Sequence, residues 1–248
     1  MARDRREKKK RLILSLLSVA LAVGVAIAAR GCWKRDYCLL HVDGHAVHVV
    51  KIDIREAGVR IRPVVAAGWD FGRIINKWKP RAAINGSYFD ADFRPLGDVV
   101  SGGRVLARGH RRSAVVVTKS GRVEFRRRVG RAPFKCDDCS EVLAAGPMLL
   151  RRGRPALDPE AEGFRRASRT IQAPRSGIGL TADGGLLLVV IEESVTLDEM
   201  ADVMLRLGAA DAMNLDGGMS CALYGDKRIV VAPASPMSSA IMIVGKPN

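Results

Sequence analysis

Aromatic side chains are scarce in this 248-residue chain, with three Trp, three Tyr and six Phe. Nucleic-acid binders stack bases on aromatic platforms set among basic residues, and no such interleaving occurs. No helix-turn-helix or zinc-finger spacing is present either, so nucleic acid is set aside as a partner. Acidic residues are outnumbered, 26 against 41 Lys and Arg, giving a net charge of +15. Histidines number four and cysteines five. A single C-x-x-C with no second ligand pair argues against zinc. There is no internal repeat, and no low-complexity tract outside the amino terminus. One long apolar run occurs, from Leu12 to Ala29.

That run comes after Arg3, Arg5, Arg6, Lys8, Lys9, Lys10 and Arg11. It is 18 residues long, close to the roughly 20 that a spanning helix needs. Ala26-Ile27-Ala28 offers a cleavage site. The run therefore reads as a signal-anchor or a signal peptide, and the basic block before it places the remainder of the chain across the membrane. The expected organisation is a basic cytoplasmic tail over 1–11, the membrane segment over 12–29, a juxtamembrane linker over 30–40 and a folded domain over 41–248. The domain stays basic without the tail, which favours phosphorylated or anionic glycans or headgroups as partners.

Export implies an oxidising compartment. Cys136 and Cys139 then read as a local disulfide, and Cys32 and Cys38 flank the juxtamembrane stretch. Cys221 is left over, either a buried thiol or a nucleophile. No histidine lies near it in sequence, which favours burial. His41, His45 and His48 cluster, but His45 and His48 are an odd number apart and face opposite sides of a strand. They read as surface or structural residues rather than metal ligands.

From Tyr37 onward β-branched residues alternate along short segments separated by Gly-containing turns, the pattern of a strand-rich domain. Hairpins are expected around Gly102-Gly103, Ser120-Gly121 and Asp183-Gly184-Gly185. A short helix is expected between Trp69 and Trp78. Thr196-Leu-Asp-Glu199 has capping-box spacing, with Leu197, Met200, Val203, Met204 and Leu207 on one helical face and a stop at Gly208. The segment from Asp158 to Thr170 is charged and lacks an apolar face, so it reads as a surface loop. Arg126 to Arg131 reads as a solvated basic edge.

The chemistry is placed after that second helix. Ala212 to Leu215 reads as a buried strand closed by Asn214-Leu215-Asp216-Gly217-Gly218. Asn214 and Asp216 are two apart and share a strand face, and the glycines let bare N–H groups approach a ligand. The alternative is a plain hairpin turn at Asp-Gly-Gly. Arg81 to Ile84 running into Asn85-Gly86-Ser87-Tyr88-Phe89-Asp90 repeats the device. Arg175 stands among small residues beside a strand, suited to bidentate phosphate binding or to an ordinary ion pair.

Taken in order, Asn85-Gly-Ser-Tyr-Phe-Asp90, Ala145-Gly146-Pro147, Pro174-Arg175-Ser-Gly-Ile-Gly179 and Asn214-Leu-Asp-Gly-Gly-Met-Ser220 resemble the motifs of the phosphodiester glycosidase family, over about residues 45 to 245. The resemblance implies an α+β fold, a single domain around a mixed β-sheet with few helices, preceded here by the N-terminal membrane segment. It implies hydrolysis of a sugar-1-phosphodiester in an exported setting. It carries over to Asn85, Gly86, Arg175, Asn214, Asp216, Gly217 and Gly218. This chain departs from the family at Ser87 and Met219, where glycine is usual, and at Pro236-Met237-Ser238-Ser239, where an Arg commonly precedes the last strand.

The expected catalytic set is Asp216, as nucleophile or as base for water, with Arg175, Asn214 and Asn85. Gly86, Gly217, Gly218 and Ser220 are expected to contact substrate. Asp90 or Glu192 would supply a second carboxylate. No cofactor is expected, and the sequence leaves any divalent-cation requirement and the oligomeric state open. The competing class is a non-catalytic binding module for anionic envelope glycans.

Overall fold

A computed structural model describes residues 36–130, 132–134 and 137–245. The expected basic tail and membrane segment, together with Cys32 and Cys136, lie outside the described residues. Among the described residues, no helix is long and apolar enough to cross a membrane.

The strands in chain order begin with β1 (Tyr37–Val42), β2 (His45–Asp53), β3 (Arg60–Trp69), β4 (Ala82–Asn85), β5 (Val99–Ser101) and β6 (Arg104–Ala107). They continue with β7 (Ser113–Thr118), β8 (Val123–Arg127), β9 (Cys139–Ala145), β10 (Met148–Arg151), β11 (Arg154–Pro155) and β12 (Ala173–Thr181). The last are β13 (Gly185–Val195), β14 (Ala209–Asn214), β15 (Leu223–Gly225), β16 (Arg228–Val231) and β17 (Met237–Val244). Two α-helices, α1 (Phe71–Trp78) and α2 (Leu197–Arg206), and three 3-10 turns complete the described chain. The first strand starts at Tyr37, inside the stretch that the sequence assigned to a linker.

The strands form three sheets rather than one. The first has the order β1-β2-β13-β12-β14-β10-β11, the second β16-β15-β4-β17-β3 and the third β6-β5-β9-β7-β8. Every ladder between named strands is antiparallel, which corrects the expected mixed sheet. The reason is in the connections. Parallel neighbours need a long crossover, whereas β1 and β2, β5 and β6, β10 and β11, and β15 and β16 are each joined by two residues. Both turn residues have positive φ in each case, for example Asp43 at 50° and Gly44 at 91°, or Asp226 at 52° and Lys227 at 60°. That twist suits a tight antiparallel hairpin.

The main core lies where the three sheets face one another, with Val50, Ile178 and Leu188 meeting Ile84, Ile241, Val115 and Leu143. Strand β13 is buried on both faces. Leu186, Leu188 and Val190 point into this core, and the alternate Leu187, Val189 and Ile191 point to the opposite side. There α2 covers the sheet with Leu197, Met200, Val203, Met204 and Leu207. The helix starts with the expected capping box, in which Thr196 Oγ1 accepts from the Glu199 N–H at 3.2 Å and the Glu199 carboxylate accepts from the Thr196 N–H at 2.7 Å. Gly177 and Gly179 on β12 let the helix sit close, since a Cβ on either would fall 2.6 Å from the Met200 or Met204 methyl. Helix α1 covers the second sheet with Phe71, Ile74 and Ile75, and Asp70 caps it by accepting from the Arg73 N–H at 2.7 Å.

Two stretches read as solvated are docked. The segment over 158–170 forms two 3-10 turns, and Glu162 within it is buried, accepting from the Ser113 hydroxyl and, at 2.9 Å, from the Met148 N–H. In the basic stretch, Arg126 bonds Glu124 and Asp138, while buried Arg128 bonds the fully buried Asp98 at 3.1 Å.

Candidate active site

The chain crosses between sheets at four places, and three of the crossings, all but that from β2 to β3, meet. After β4, residues 85–88 lead from the second sheet toward the third. Gly146-Pro147 leads from the third sheet to the first. Residues 215–220 lead from the first sheet, at β14, to the second, at β15. The Asp216 N–H donates to the Gly86 carbonyl at 3.1 Å, the Gly146 N–H to the Asn214 carbonyl at 3.0 Å, and the Asn214 N–H to the Pro147 carbonyl at 3.0 Å. Asp-Gly-Gly is therefore not a hairpin turn, because β14 pairs with β12 and β10 and β15 pairs with β4 and β16.

Asp216 sits at the centre. Burial raises its carboxyl to about 6, against smaller lowering effects from the Ser220 hydroxyl, the Gly217 N–H and the Arg111 charge. The Gly217 N–H donates to Asp216 Oδ1 at 3.0 Å, so that N–H is occupied by the carboxylate rather than left for a ligand. Gly218 opens the 3-10 turn at φ +63°, with open space where a side chain would stand.

Asn85 acts as a brace. Its Nδ2 donates to the Asp216 carbonyl at 2.7 Å and its Oδ1 accepts from the Ala222 N–H at 3.1 Å. Both ends of the side chain are engaged with the backbone of the 216–222 segment. Gly86 is buried under Ser239, and a Cβ there would lie 2.6 Å from the Ser239 hydroxyl and 3.0 Å from its carbonyl carbon. Its glycine serves packing between β4 and β17.

Asn214 is fully buried. Its Nδ2 donates to the Tyr88 hydroxyl at 2.8 Å, and that hydroxyl donates to the Gly146 carbonyl at 3.0 Å. Asn214 Oδ1 is buried with no partner among the described residues. Burial drives the Tyr88 phenol well above its ordinary range, so it remains a neutral donor.

Arg175 lies on β12 and is buried. Its Nε donates to the Val195 carbonyl at 3.2 Å and one terminal nitrogen to the Ile171 carbonyl. The other terminal nitrogen faces Gly217, 4.0 Å from where a Cβ would stand. No carboxylate pairs with it among the described residues, so the ion-pair alternative does not hold, and burial lowers its pKa. Arg111, which sequence reasoning missed, joins this cluster. Its guanidinium lies over the Phe164 ring at 4.1 Å and the Tyr88 ring at 4.7 Å.

The expected second carboxylates lie elsewhere. Asp90 Oδ1 accepts from the Asp92 and Arg94 N–H groups at 3.0 and 2.9 Å, so it holds its own turn. Glu192 is exposed and pairs with His48 at 3.0 Å. It stands on the rim of a cleft of about 300 Å³ lined by Pro174, Gly218, Met219, Cys221, Val231, Ala232 and Ala234. Met219 is 69% exposed at this mouth. Cys221 is buried beneath, and burial raises its thiol to about 11, which rules against a resting thiolate. His45 pairs with Glu193 at 3.1 Å. Among the described residues, no cluster of His, Cys, Asp or Glu is arranged to hold a metal.

A strand-rich domain with a half-buried carboxylate near guanidiniums that have no bonded carboxylate among the described residues sets out a site for an anionic ligand. The chain belongs to the phosphodiester glycosidase family, whose model matches residues 79–244. No curated sequence matches the chain. Its fold is similar to that of a hypothetical protein from Synechocystis, with a TM-score of 0.69 at 19% identity, covering 85% of this chain and 61% of that one. It is equally similar to the zebrafish N-acetylglucosamine-1-phosphodiester alpha-N-acetylglucosaminidase catalytic domain, auto-inhibited by its pro-peptide. There the TM-score is 0.69 at 17% identity, covering 85% of this chain and 82% of that one. A third similar fold is that of a putative exported protein from Burkholderia pseudomallei, with a TM-score of 0.59 at 15% identity, covering 81% and 74%.

Proposed function

We propose that the protein hydrolyses a sugar-1-phosphodiester, breaking the bond between the anomeric carbon and the phosphate oxygen. The observation that carries this reading is Asp216, a half-buried carboxyl raised to about 6, next in sequence to Gly217, which one free terminal nitrogen of Arg175 faces. A phosphodiester leaves readily from an anomeric carbon, so a strong general acid is dispensable and charge stabilisation matters more. Asp216 acts as nucleophile or as base for water, a role suited to a carboxylate whose pKa lies near working pH. Arg175 holds the phosphate. Asn214 orients the Tyr88 hydroxyl beside Arg111, and Asn85 positions the segment that carries Asp216. Ser220 steadies the carboxylate, and Glu192 contacts substrate from the rim.

The family match and the basic, apolar amino-terminal sequence support an extracytoplasmic enzyme, membrane-anchored or secreted, acting on a phosphorylated or anionic glycan. An oxidising compartment would suit a local disulfide at Cys136 and Cys139. Met219 at the mouth favours a second reading, a module that binds anionic glycans without cleaving them.

The test is incubation of purified protein with a panel of sugar-1-phosphodiesters, including N-acetylglucosamine-1-phosphate diesters, while free reducing sugar is followed. Release that disappears in Asp216→Asn and in Arg175→Ala is the expected result. No release from folded protein that still binds anionic glycans would replace the enzyme with the binding module.

A further inference from the structure

Arg111 belongs to none of the motifs that carry the family resemblance, and the reading above gives it no task. It lies in the loop between β6 and β7, tied by its N–H to the Leu96 carbonyl at 3.1 Å. Its guanidinium is clamped by two rings that meet edge to face, Tyr88 and Phe164, with centroids 5.4 Å apart. Phe164 comes from the 158–170 segment, which is itself anchored beside Arg111 because Arg112 donates to the Ala161 carbonyl at 2.6 Å.

Arg111 Nε is buried without a hydrogen-bond partner, and no carboxylate forms an ion pair with this guanidinium among the described residues. Desolvating a cation without a hydrogen-bonded counter-ion is costly, yet among the described residues Arg175 has no carboxylate acting on it and Arg111 has only the unbonded charge of Asp216. Arg111 lies over the Tyr88 ring, whose hydroxyl accepts from Asn214 at 2.8 Å, and Arg175 faces Gly217, so the two guanidiniums stand against the two ends of the same 214–217 segment. The charged group facing Arg111 is Asp216. Glu162 is engaged by Ser113 and Met148 and Glu192 by His48, so neither neutralises the pair. With Asp216 ionised, one positive charge is left over, which one phosphodiester anion would cancel.

We propose that Arg111 is the second cation of a two-arginine anion site, gripping the non-bridging phosphate oxygens opposite Arg175, with the Tyr88–Phe164 clamp fixing the plane of the guanidinium. The proposal rests on the phosphodiester reading of the site. When the C1–O bond breaks, its electron pair leaves on the phosphate oxygen, and Arg111 stabilises that departing charge. The site thereby selects an anionic leaving group.

The test separates binding from turnover. Inorganic phosphate is titrated calorimetrically into the full chain at constant ionic strength, with chloride as control. Arg111→Gln is expected to weaken phosphate binding about ten-fold or more, and Arg111→Lys, which keeps the charge but loses the planar stack, by about three-fold. Phe164→Leu, which leaves the charge and opens the clamp, is expected to fall between wild type and Arg111→Gln. Should Arg111→Gln fail to fold, the Lys and Leu variants carry the comparison. Wild-type affinity in Arg111→Gln, or in both of the other variants, overturns the proposal, as does a wild-type protein that binds no phosphate. Because this readout needs no bond cleavage, a protein that binds phosphate through Arg111 but releases no sugar refutes the hydrolase alone. Sugar release that persists with full phosphate affinity in Arg111→Gln refutes only the role of Arg111.

Discussion

The Asn214 side-chain amide donates to the Tyr88 hydroxyl at 2.8 Å, and that hydroxyl passes the hydrogen bond on to the Gly146 carbonyl at 3.0 Å. One relay thus joins the end of β14, the segment after β4 and the Gly146-Pro147 crossing. Tyr88→Phe keeps the ring that stacks on Phe164 and Arg111 but removes both bonds. It leaves a buried amide and a buried carbonyl short of partners, a loss worth about 1–3 kcal/mol. Chemical denaturation should show that drop in stability, and sugar release should fall because the relay orients Asn214. Unchanged stability would mean that water replaces the hydroxyl without cost.

Asp216 gives a prediction with a definite sign. Its carboxyl is raised to about 6 in the folded protein, against roughly 3.9 in an unfolded chain. A carboxyl with a raised folded pKa binds its proton more tightly when folded, so ionisation costs stability. The cost is absent below about pH 4, grows between about pH 4 and 6, and is constant above. Asp216→Asn removes it. At pH 7 the variant should be more stable than wild type by about 1–3 kcal/mol, from roughly 1.4 kcal/mol per pKa unit less the hydrogen bonds lost. The gain should vanish near pH 4. Activity should run the other way, falling about 100-fold or more in the variant and, in wild type, declining as pH drops through about 6. A flat wild-type rate between pH 5 and 7 would take Asp216 out of the chemistry.

Asn85 and Gly86 act through the backbone. Asn85→Ala removes the donor to the Asp216 carbonyl and the acceptor for the Ala222 N–H. It should cost about 2 kcal/mol of stability and lower kcat more than it raises KM, since Asp216 loses its position while the phosphate contacts persist. Gly86→Ala pushes a methyl to 3.0 Å from the Ser239 backbone and should destabilise by about 1–3 kcal/mol through overpacking. A larger effect on KM than on kcat in Asn85→Ala would indicate direct contact with substrate instead.

The parts of this site carried by contiguous residues were legible in the sequence. Asn85 and Asn214 each end a short apolar strand and open a glycine-containing segment, a pattern that is local, but Asp216 lies beyond the end of β14, so the expected strand face shared by Asn214 and Asp216 does not form. The helix after β13 was legible because its capping box and apolar stripe are local. Strand partners were not, since alternation marks a buried face but says nothing of its neighbour, and the expected mixed sheet became three antiparallel ones. Arg111 and Phe164 were hidden for a related reason. They are more than fifty residues apart, neither lies in a periodic segment, and their contact exists only because Glu162 and Arg112 dock the 158–170 loop. That loop looked solvated because its one buried polar anchor, Glu162, is a residue type that is rarely buried unless paired.

Met219 provides the last prediction. It stands 69% exposed over the cleft that also reaches Pro174, Cys221 and Val231. A side chain that exposed stabilises the fold little, so Met219→Gly should cost about 0.5–1 kcal/mol, chiefly backbone entropy in the 3-10 turn. Its effect should fall on selectivity. The methionine occupies part of a cleft of about 300 Å³, so its removal should lower KM for phosphodiesters with bulky groups and leave small ones nearly unchanged. The comparison is kcat/KM for a small and a bulky diester of the same sugar in wild type and variant. An equal change for both would mean that Met219 acts on the position of Asp216 through the turn rather than on the width of the mouth.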